Sequence, residues 1–386
     1  MQDMKIYIKT FGCQMNKLDS ELMADALIQH GHTIVQDEVE AEAILVNTCS
    51  VRAHAEERAY ANLAALKNRK AKEPRLIIGL VGCMAEKDKT EALKRIPYLD
   101  FICGPNQEYA LPEMIEEIRA TNQKIIRTGP ASGVRRLASG ACLPAGRSET
   151  HNARRATHDA YVLAMKGCNN FCSYCIVPYV RGREVSRPFA EIVEEVKMLA
   201  DNGTKEITLL GQNITAYSDN GSRLSELLKA LYDIKGIQRI SFITSYPADT
   251  TDDLFTVMRD LPKVSRYLHI PAQSGSNRIL KAMNRRYTRE DYLALIDYGR
   301  ALLPDIAYSS DFIVGFPGET EADFQDTIDL VKEVQFDNSY IFKYSPRPGT
   351  AAAHLKDDVP QPVKEERNRI LLEAQLGISR SKMSNV

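Results

Sequence analysis

Cys168-Asn169-Asn170-Phe171-Cys172-Ser173-Tyr174-Cys175 places three residues between its first two cysteines and two between the last pair. Three thiolates in one short loop can hold a soft metal or three corners of an iron–sulfur cube. A closed zinc site or a fully ligated cluster wants a fourth ligand, and no further Cys or His stands nearby. An incomplete shell leaves one metal open to a substrate or cofactor, so the loop reads as reactive. Free cysteines are often small buried hydrophobes. Here Asn169, Asn170 and Ser173 are polar and the run follows the strand-like Tyr161-Val162-Leu163-Ala164-Met165, which argues against that reading. Zinc stays open as the competing metal, because short Cys spacings serve it too.

Downstream, the chain predicts six β/α units from about Asp159 onward. Strands are expected at Tyr161–Met165, Ile207–Leu210, Ile240–Thr244, Tyr267–Ile270, Ser310–Val314 and Tyr340–Tyr344, with amphipathic stretches such as Ala190–Ala200, Leu224–Tyr232, Tyr292–Leu302 and Phe324–Val334 between them. Repeated βα units predict a barrel or partial barrel whose active site gathers at the carboxyl ends of the strands. Polar or Gly-rich loops fall there: Gly211-Gln212-Asn213, Ser245-Tyr246-Pro247, Gln273-Ser274-Gly275-Ser276, Gly315–Thr320 and Ser345–Gly349. Small residues let a ligand approach the backbone, and amides and hydroxyls can pair with it. After Gly349 only a charged helix, about Val363 to Ser379, is expected.

Upstream, strands are expected at Ile6–Phe11, Ala43–Asn47, Leu76–Val81 and Asp100–Cys103, with helices at Lys17–His30 and about Arg52–Lys67. Alternating β and α units predict a parallel, doubly wound sheet. Cys13, Cys49 and Cys83 each lie just past a strand's carboxyl end and stand 36 and 34 positions apart, about one βα unit each. In an open parallel sheet such strand ends share one edge, where these folds bind ligands. Gly12 and Gly82 would let the backbone turn tightly beside a bulky group. Three unrelated strand-end cysteines remain the bland alternative. Cys103 lies in an apolar strand and reads as a buried structural thiol; Cys142 sits in a Gly/Ala/Ser/Arg stretch and reads as incidental. Residues 133–158 have linker composition.

Charged residues are 26% and apolar ones 44% of the 386, with a net charge of −1, ordinary for a globular protein and against wholesale nucleic-acid binding by bulk charge. Any RNA contact must be local: Arg181, Arg183, Arg187, Arg285 and Arg286 are the candidates, since arginine pairs with phosphate in a bidentate fashion. No apolar run reaches membrane length and Met1–Lys9 lacks the core of a signal peptide, so a cytoplasmic protein without a membrane partner is expected. Eight cysteines then suggest metal binding or catalysis rather than disulfides. No Ser-His-Asp set or paired-carboxylate site stands out.

The barrel motif resembles the radical S-adenosylmethionine (SAM) signature, and three spaced cysteines ahead of it resemble the radical SAM methylthiotransferase family over nearly the whole chain. Thr10–Asn16, Asp19-Ser20-Glu21, Val177–Gly182 and Ser309–Thr320 are similar to the branch that modifies isopentenylated adenosine in tRNA. The resemblance implies an N-terminal doubly wound domain (residues 1–132), a linker (133–158), an open (β/α)6 barrel (159–350) and a C-terminal helix (351–386). It implies two 4Fe-4S clusters, one on Cys168, Cys172 and Cys175 whose open iron binds SAM, and an auxiliary one on Cys13, Cys49 and Cys83 that carries the sulfur to be donated. Tyr174 would lie against the adenine of SAM, with Gln212, Asn213, Gln273, Ser274 and Gly315 as further contacts. The implied reaction is methylthiolation of C2 of N6-isopentenyladenosine at position 37 of tRNA, by a monomer fed electrons by a flavodoxin- or ferredoxin-type donor. The family's C-terminal RNA-binding domain of the TRAM type is expected to be absent, so that either the sequence is truncated or the first two domains hold tRNA alone. Another methylthiotransferase branch, acting on threonylcarbamoyladenosine or on a ribosomal-protein aspartate, is one alternative. A non-catalytic iron–sulfur or zinc RNA-binding protein is the other.

Overall fold

The computed structural model describes residues 3–50, 53–129 and 158–384. Cys142, and all of the expected linker but His158, lie outside the described residues. The chain divides into two compact units, one of residues 1–157 with Tyr179–Gly182, the other of His158–Pro178 with Arg183–Val386.

The first unit is a six-stranded, all-parallel sheet flanked by helices. In chain order its elements are β1 (Lys5–Phe11), α1 (Gln14–Gln29), β2 (Thr33–Ile34), β3 (Ala43–Thr48), α2 (Ala53–Ala65), α3 (Lys67–Lys72), β4 (Ile77–Gly82), α4 (Cys83–Asp88), α5 (Thr90–Arg95), β5 (Phe101–Cys103), α6 (Leu111–Thr121) and β6 (Ile125–Arg127). The strand order is β2-β1-β3-β4-β5-β6. Every residue of β3 and β4 is buried, because both sheet faces are covered. One face packs Ile44, Val46, Ile78 and Leu80 with α2, the other Ala43, Leu45 and Val81 with α1 and α6. Strands β2 and β6 were not expected; each is too short for its pattern to stand out from a loop. The expected Arg52–Lys67 helix ends at Ala65, and α3 starts separately at Lys67.

Register positions the cysteines. Phe11 opposes Thr48, and Thr48 opposes Gly82, so β1, β3 and β4 end level with one another. Cys13, Cys49 and Cys83 therefore leave the same edge of the sheet.

The second unit carries the six expected strands. The chain runs β7 (Asp159–Leu163), β8 (Met165–Lys166), α7 (Val177–Arg181), β9 (Val185–Ser186), α8 (Phe189–Asp201), β10 (Glu206–Leu210), β11 (Ser218–Asp219), β12 (Ser222–Arg223), α9 (Leu224–Tyr232), β13 (Arg239–Ile243), α10 (Asp252–Asp260), β14 (Tyr267–His269), α11 (Asn277–Ala282), α12 (Arg289–Leu302), β15 (Ala307–Val314), α13 (Glu321–Val334), β16 (Asn338–Lys343) and α14 (Gln361–Met383). Strands β7, β10 and β13 form one parallel sheet and β14, β15 and β16 another. The two halves adjoin just past β13 and β14, where Ser245 N donates to His269 O at 3.3 Å. This is the open six-stranded barrel, with helices packing Ile192, Leu228, Phe255, Tyr292 and Phe324 against its outer side. The C-terminal helix is part of this unit: Gln375 of α14 donates to Phe336 O and accepts from Ser339 Oγ. Among the described residues no helix is long and apolar enough to cross a membrane.

Candidate functional site

In the barrel, the Cys168–Cys175 loop follows β8 through Gly167 (φ 82°) and turns again at Phe171 (φ 46°). It is pinned by bonds that do not use its sulfurs. Ser173 donates through N to Met283 O and through Oγ to Ala282 O, and Asn284 Nδ2 donates to Phe171 O. The three thiols are close enough to act on one another electrostatically. Burial raises Cys168, and burial together with the neighbouring Cys172 pushes Cys175 up to about 12. Without a cation Cys168 and Cys175 favour their protonated forms; a coordinating metal reverses that preference. Arg285 is enclosed by the rings of Tyr246 and Tyr287 and donates to Cys172 Sγ at 3.4 Å.

Of the residues expected around SAM, Gln212 stands at the loop, its Oε1 accepting from Gly167 N at 2.5 Å. Tyr174 is packed into the barrel core. Gln273 has φ 70° and a buried Oε1 without a partner, and Ser245 Oγ is another such atom. The others are committed elsewhere. Asn213 donates to Asp249, and the Ser274 hydroxyl is bonded with Thr327 and Ser276 N. At Gly315 (φ 70°) a Cβ would lie 2.3 Å from Lys364 Cγ, so this glycine is needed for the approach of α14. Its loop is braced by Glu319, which accepts from Gly315 N and Arg367 Nη1; burial pushes the Glu319 carboxyl up to about 7.

At the sheet edge of the first unit, Cys13 caps α1 and Cys83 begins α4. A hydrogen bond with Cys49 brings the Cys13 thiol down to about 6 against the opposing effect of burial, with help from the charge of Arg181. Burial pushes Cys83 the other way. The tight turns are real: a Cβ on Gly12 (φ 139°) would lie 2.5 Å from Cys49 Cβ, and one on Gly82 (φ 88°) 2.3 Å from Asn47 Oδ1. Asn47, missed from sequence, is wholly buried and donates to Asn16 O and Ser20 Oγ, both at 2.8 Å. Cys103 is a buried thiol in β5, as expected.

Three of the five arginines read as phosphate contacts are committed within the protein. Arg181, in the Tyr179–Gly182 stretch that belongs to the first unit, is buried and donates through Nε to Cys83 Sγ (3.2 Å) and through Nη2 to Asp19 (2.6 Å). Arg187 is buried between Leu163 O and Glu195. Arg285 is taken up by Cys172 and the two tyrosines. Arg183, over the Phe171 ring, and Arg286, bonded to Asn170 and Asp249, are exposed. Sequence shows an arginine but not the distant carboxylate or sulfur that claims it.

Among the described residues, no group of three or more His, Cys, Asp or Glu is arranged as the ligand set of one metal ion. A cubane makes a different demand, since there each ligand sulfur binds its own iron.

Residues 162–331 match the Radical SAM superfamily, and residues 5–104 match Uncharacterized protein family UPF0004. The chain is 44% identical over 382 residues to a tRNA-2-methylthio-N(6)-dimethylallyladenosine synthase of Rhodopirellula baltica, covering 97% of this chain and 80% of that protein. With the like-named protein of Caldicellulosiruptor saccharolyticus the identity is 47% over 366 residues (94% and 75%). Among solved structures, the fold resembles the radical S-adenosylmethionine methyltransferase TsrM of Kitasatospora setae, with a TM-score of 0.62 at 14% identity, covering 91% of this chain and 77% of that one.

Proposed function

Because the chain belongs to the tRNA-2-methylthio-N(6)-dimethylallyladenosine synthase family, we propose that it methylthiolates C2 of N6-isopentenyladenosine in tRNA, using two iron–sulfur centres on its two cysteine triads. The observation that carries this reading is the pair of triads, one in each unit: Cys13, Cys49 and Cys83 just past the level carboxyl ends of the parallel β1, β3 and β4, and Cys168, Cys172 and Cys175 in the single loop that follows β7 and β8. Residues 1–132 and 159–350 would be the two working domains.

The residues fit the groups they would hold. The donors are all sulfur, the choice for iron–sulfur clusters. At the carboxyl side of the barrel strands, just past β13 and β14, the buried and unpartnered Ser245 Oγ and Gln273 Oε1 are polar atoms a bound nucleoside or amino acid would satisfy. Cys168, Cys172 and Cys175 would hold the cluster that receives SAM, and Cys13, Cys49 and Cys83 would hold the sulfur-donating one. A C–H bond on a purine offers no proton to an ordinary base at neutral pH, and the bound cluster and SAM supply a one-electron route to breaking it. The chain's own contribution is placement. Gln212 fixes the entry to the triad loop through Gly167, Tyr174 and Gln273 line the SAM side, and Arg183 and Arg286 offer exposed charge to tRNA phosphates. Asn213, Ser274 and Gly315 act through their packing, against Asp249, Thr327 and Lys364 respectively. An electron donor of the flavodoxin or ferredoxin type would be its redox partner, and the protein would act as a cytoplasmic monomer.

Iron and acid-labile sulfide per chain after anaerobic reconstitution test the reading. About eight irons in the parent and about four after Cys168, Cys172 and Cys175→Ala are expected for two cubanes. Zinc in place of iron, or one cluster in the parent, would overturn it. The modified nucleosides of a deletion strain complemented with this chain identify the base.

A further inference from the structure

Two motif pieces, Asp19 in Asp19-Ser20-Glu21 and Arg181 in Val177–Gly182, have no part in the scheme above, yet they meet beside the first triad. Arg181 is 5% exposed and Asp19 2%. Of the three guanidinium nitrogens, Nε donates to Cys83 Sγ at 3.2 Å and Nη2 to Asp19 Oδ2 at 2.6 Å, while Nη1 is buried without a partner. An unmet N–H in a dry site is costly, which makes it a marker for something absent from the bare chain. The charge of Arg181 also acts on Cys13, so it is felt at two of the three sulfurs.

Arg285 in the second unit is a useful contrast. It too donates to a triad sulfur, Cys172, but its Nε is taken by Tyr287 Oη and its Nη2 by Pro271 O. Arg285 is saturated by the protein and Arg181 is not.

We propose that Arg181, held in place by Asp19, is a positioning residue that donates through Nη1 to an anionic sulfur carried at the Cys13, Cys49 and Cys83 site and thereby sets the reduction potential of that centre. This rests on the reading that these three cysteines hold an iron–sulfur cluster. The planar fork suits the role, with one nitrogen on the ligand sulfur, one on the anchoring carboxylate and the third left unbonded by the protein. Hydrogen bonds to cluster sulfurs favour the reduced, more negative state, and outer residues of this kind tune metal centres. The anchoring by Asp19 leaves the pair neutral, so direction rather than bulk charge distinguishes the arginine.

The test uses the full chain with Cys168, Cys172 and Cys175→Ala, so that only the first centre holds iron, and follows its midpoint potential by electron paramagnetic resonance. Arg181→Lys, and as a charge-neutral check Asp19→Asn with Arg181→Gln, are expected to keep their iron and to need a more negative potential for reduction. A tenfold lower reduced-to-oxidised ratio at fixed potential, ~59 mV for one electron, is the expected scale. A shift seen without added sulfide assigns the Nη1 partner to the cluster's own sulfur; a shift seen only with added sulfide assigns it to the sulfur to be transferred. Unchanged potentials in both conditions overturn the inference while leaving the two-centre reading intact. Loss of iron in both variants overturns it in favour of a purely structural arginine. An iron-free Cys168, Cys172 and Cys175→Ala parent overturns the first centre and this inference together.

Discussion

Gly82→Ala is expected to destabilise the first unit by about 4 kcal/mol, whereas Gly31→Ala, at a nearly identical φ, costs only about 1–2 kcal/mol. Gly31 has φ 86° and nothing within 4 Å of a built Cβ, so its substitution pays for backbone conformation alone. Gly82 has φ 88° with ψ −157°, a region open in practice only to glycine, at about 1–3 kcal/mol for another residue. Its Cβ would also lie 2.3 Å from Asn47 Oδ1 and 2.9 Å from the backbone Thr48 O. Thr48 sits in the middle of the sheet and cannot retreat, so Asn47 must turn. Its amide then gives up bonds to Asn16 O and Ser20 Oγ at about 1 kcal/mol each. Urea unfolding of the full chain followed by far-ultraviolet circular dichroism measures both substitutions, and iron bound at Cys13, Cys49 and Cys83 should fall with the first and not the second. Equal losses in the two variants would refute the contact argument.

Arg187→Ala should cost about 3 kcal/mol or more, because it strips Leu163 O and Glu195 of a buried charged donor, and should leave the salt dependence of tRNA binding unchanged. Arg183→Ala should do the reverse, lowering the slope of log affinity against log salt by about 1 with stability within about 0.5 kcal/mol; a parallel outcome in the two variants rules out the buried-versus-exposed distinction. Glu319 is raised from 4.5 to about 7, so the folded chain holds a proton the unfolded chain releases. Its stabilising share is complete below about pH 4.5 and lost as pH rises towards 7, at about 3 kcal/mol in all. Urea midpoints across that window should fall for the parent relative to Glu319→Gln, and parallel curves would contradict the assignment. Gly315→Ala should loosen α14, because Lys364 is buried and its Nζ is tied to Asp357 at 2.6 Å. Faster amide exchange confined to residues 361–383 is the expected signature, and unaltered exchange would show that the Lys364 stem gives way freely.

The central parallel strands of the first unit were legible because residues buried on both faces leave apolar runs, as in β3 and β4. β2 and β6 leave no such trace: pairing, not composition, makes Thr33–Ile34 a strand, when Lys5 and Ile6 supply its partner. The cysteines were legible for a related reason, since their spacing repeats the length of a βα unit. Asn47 and Asp19 were not. A polar side chain in a strand or on a helix reads as solvent-facing, and only the fold reveals that each is buried against a partner far along the chain. The commitments of Arg181 and Arg187 were hidden on the same point, because Glu195, Asp19 and Cys83 compete with phosphate for guanidinium and sequence does not rank them.

The two triads differ in what their geometry depends on. Cys168, Cys172 and Cys175 share one loop, so their spacing is fixed locally by Gly167, Phe171 and the bonds of Ser173. Cys13, Cys49 and Cys83 come from three strands and inherit their spacing from register, Phe11 beside Thr48 beside Gly82. A one-residue slip of β3 would turn its side chains to the other face and carry Cys49 out of line with Cys13 and Cys83. Cavities cut into the sheet, such as Ile44→Ala or Leu80→Ala, reach no cysteine directly, yet each should cost about 2–5 kcal/mol of the packing that holds this register. Iron should therefore leave the first centre well before the second as the first unit is weakened. Quantifying iron in those two variants at graded urea decides it: simultaneous loss from both centres would mean that the first triad is held by something other than the sheet.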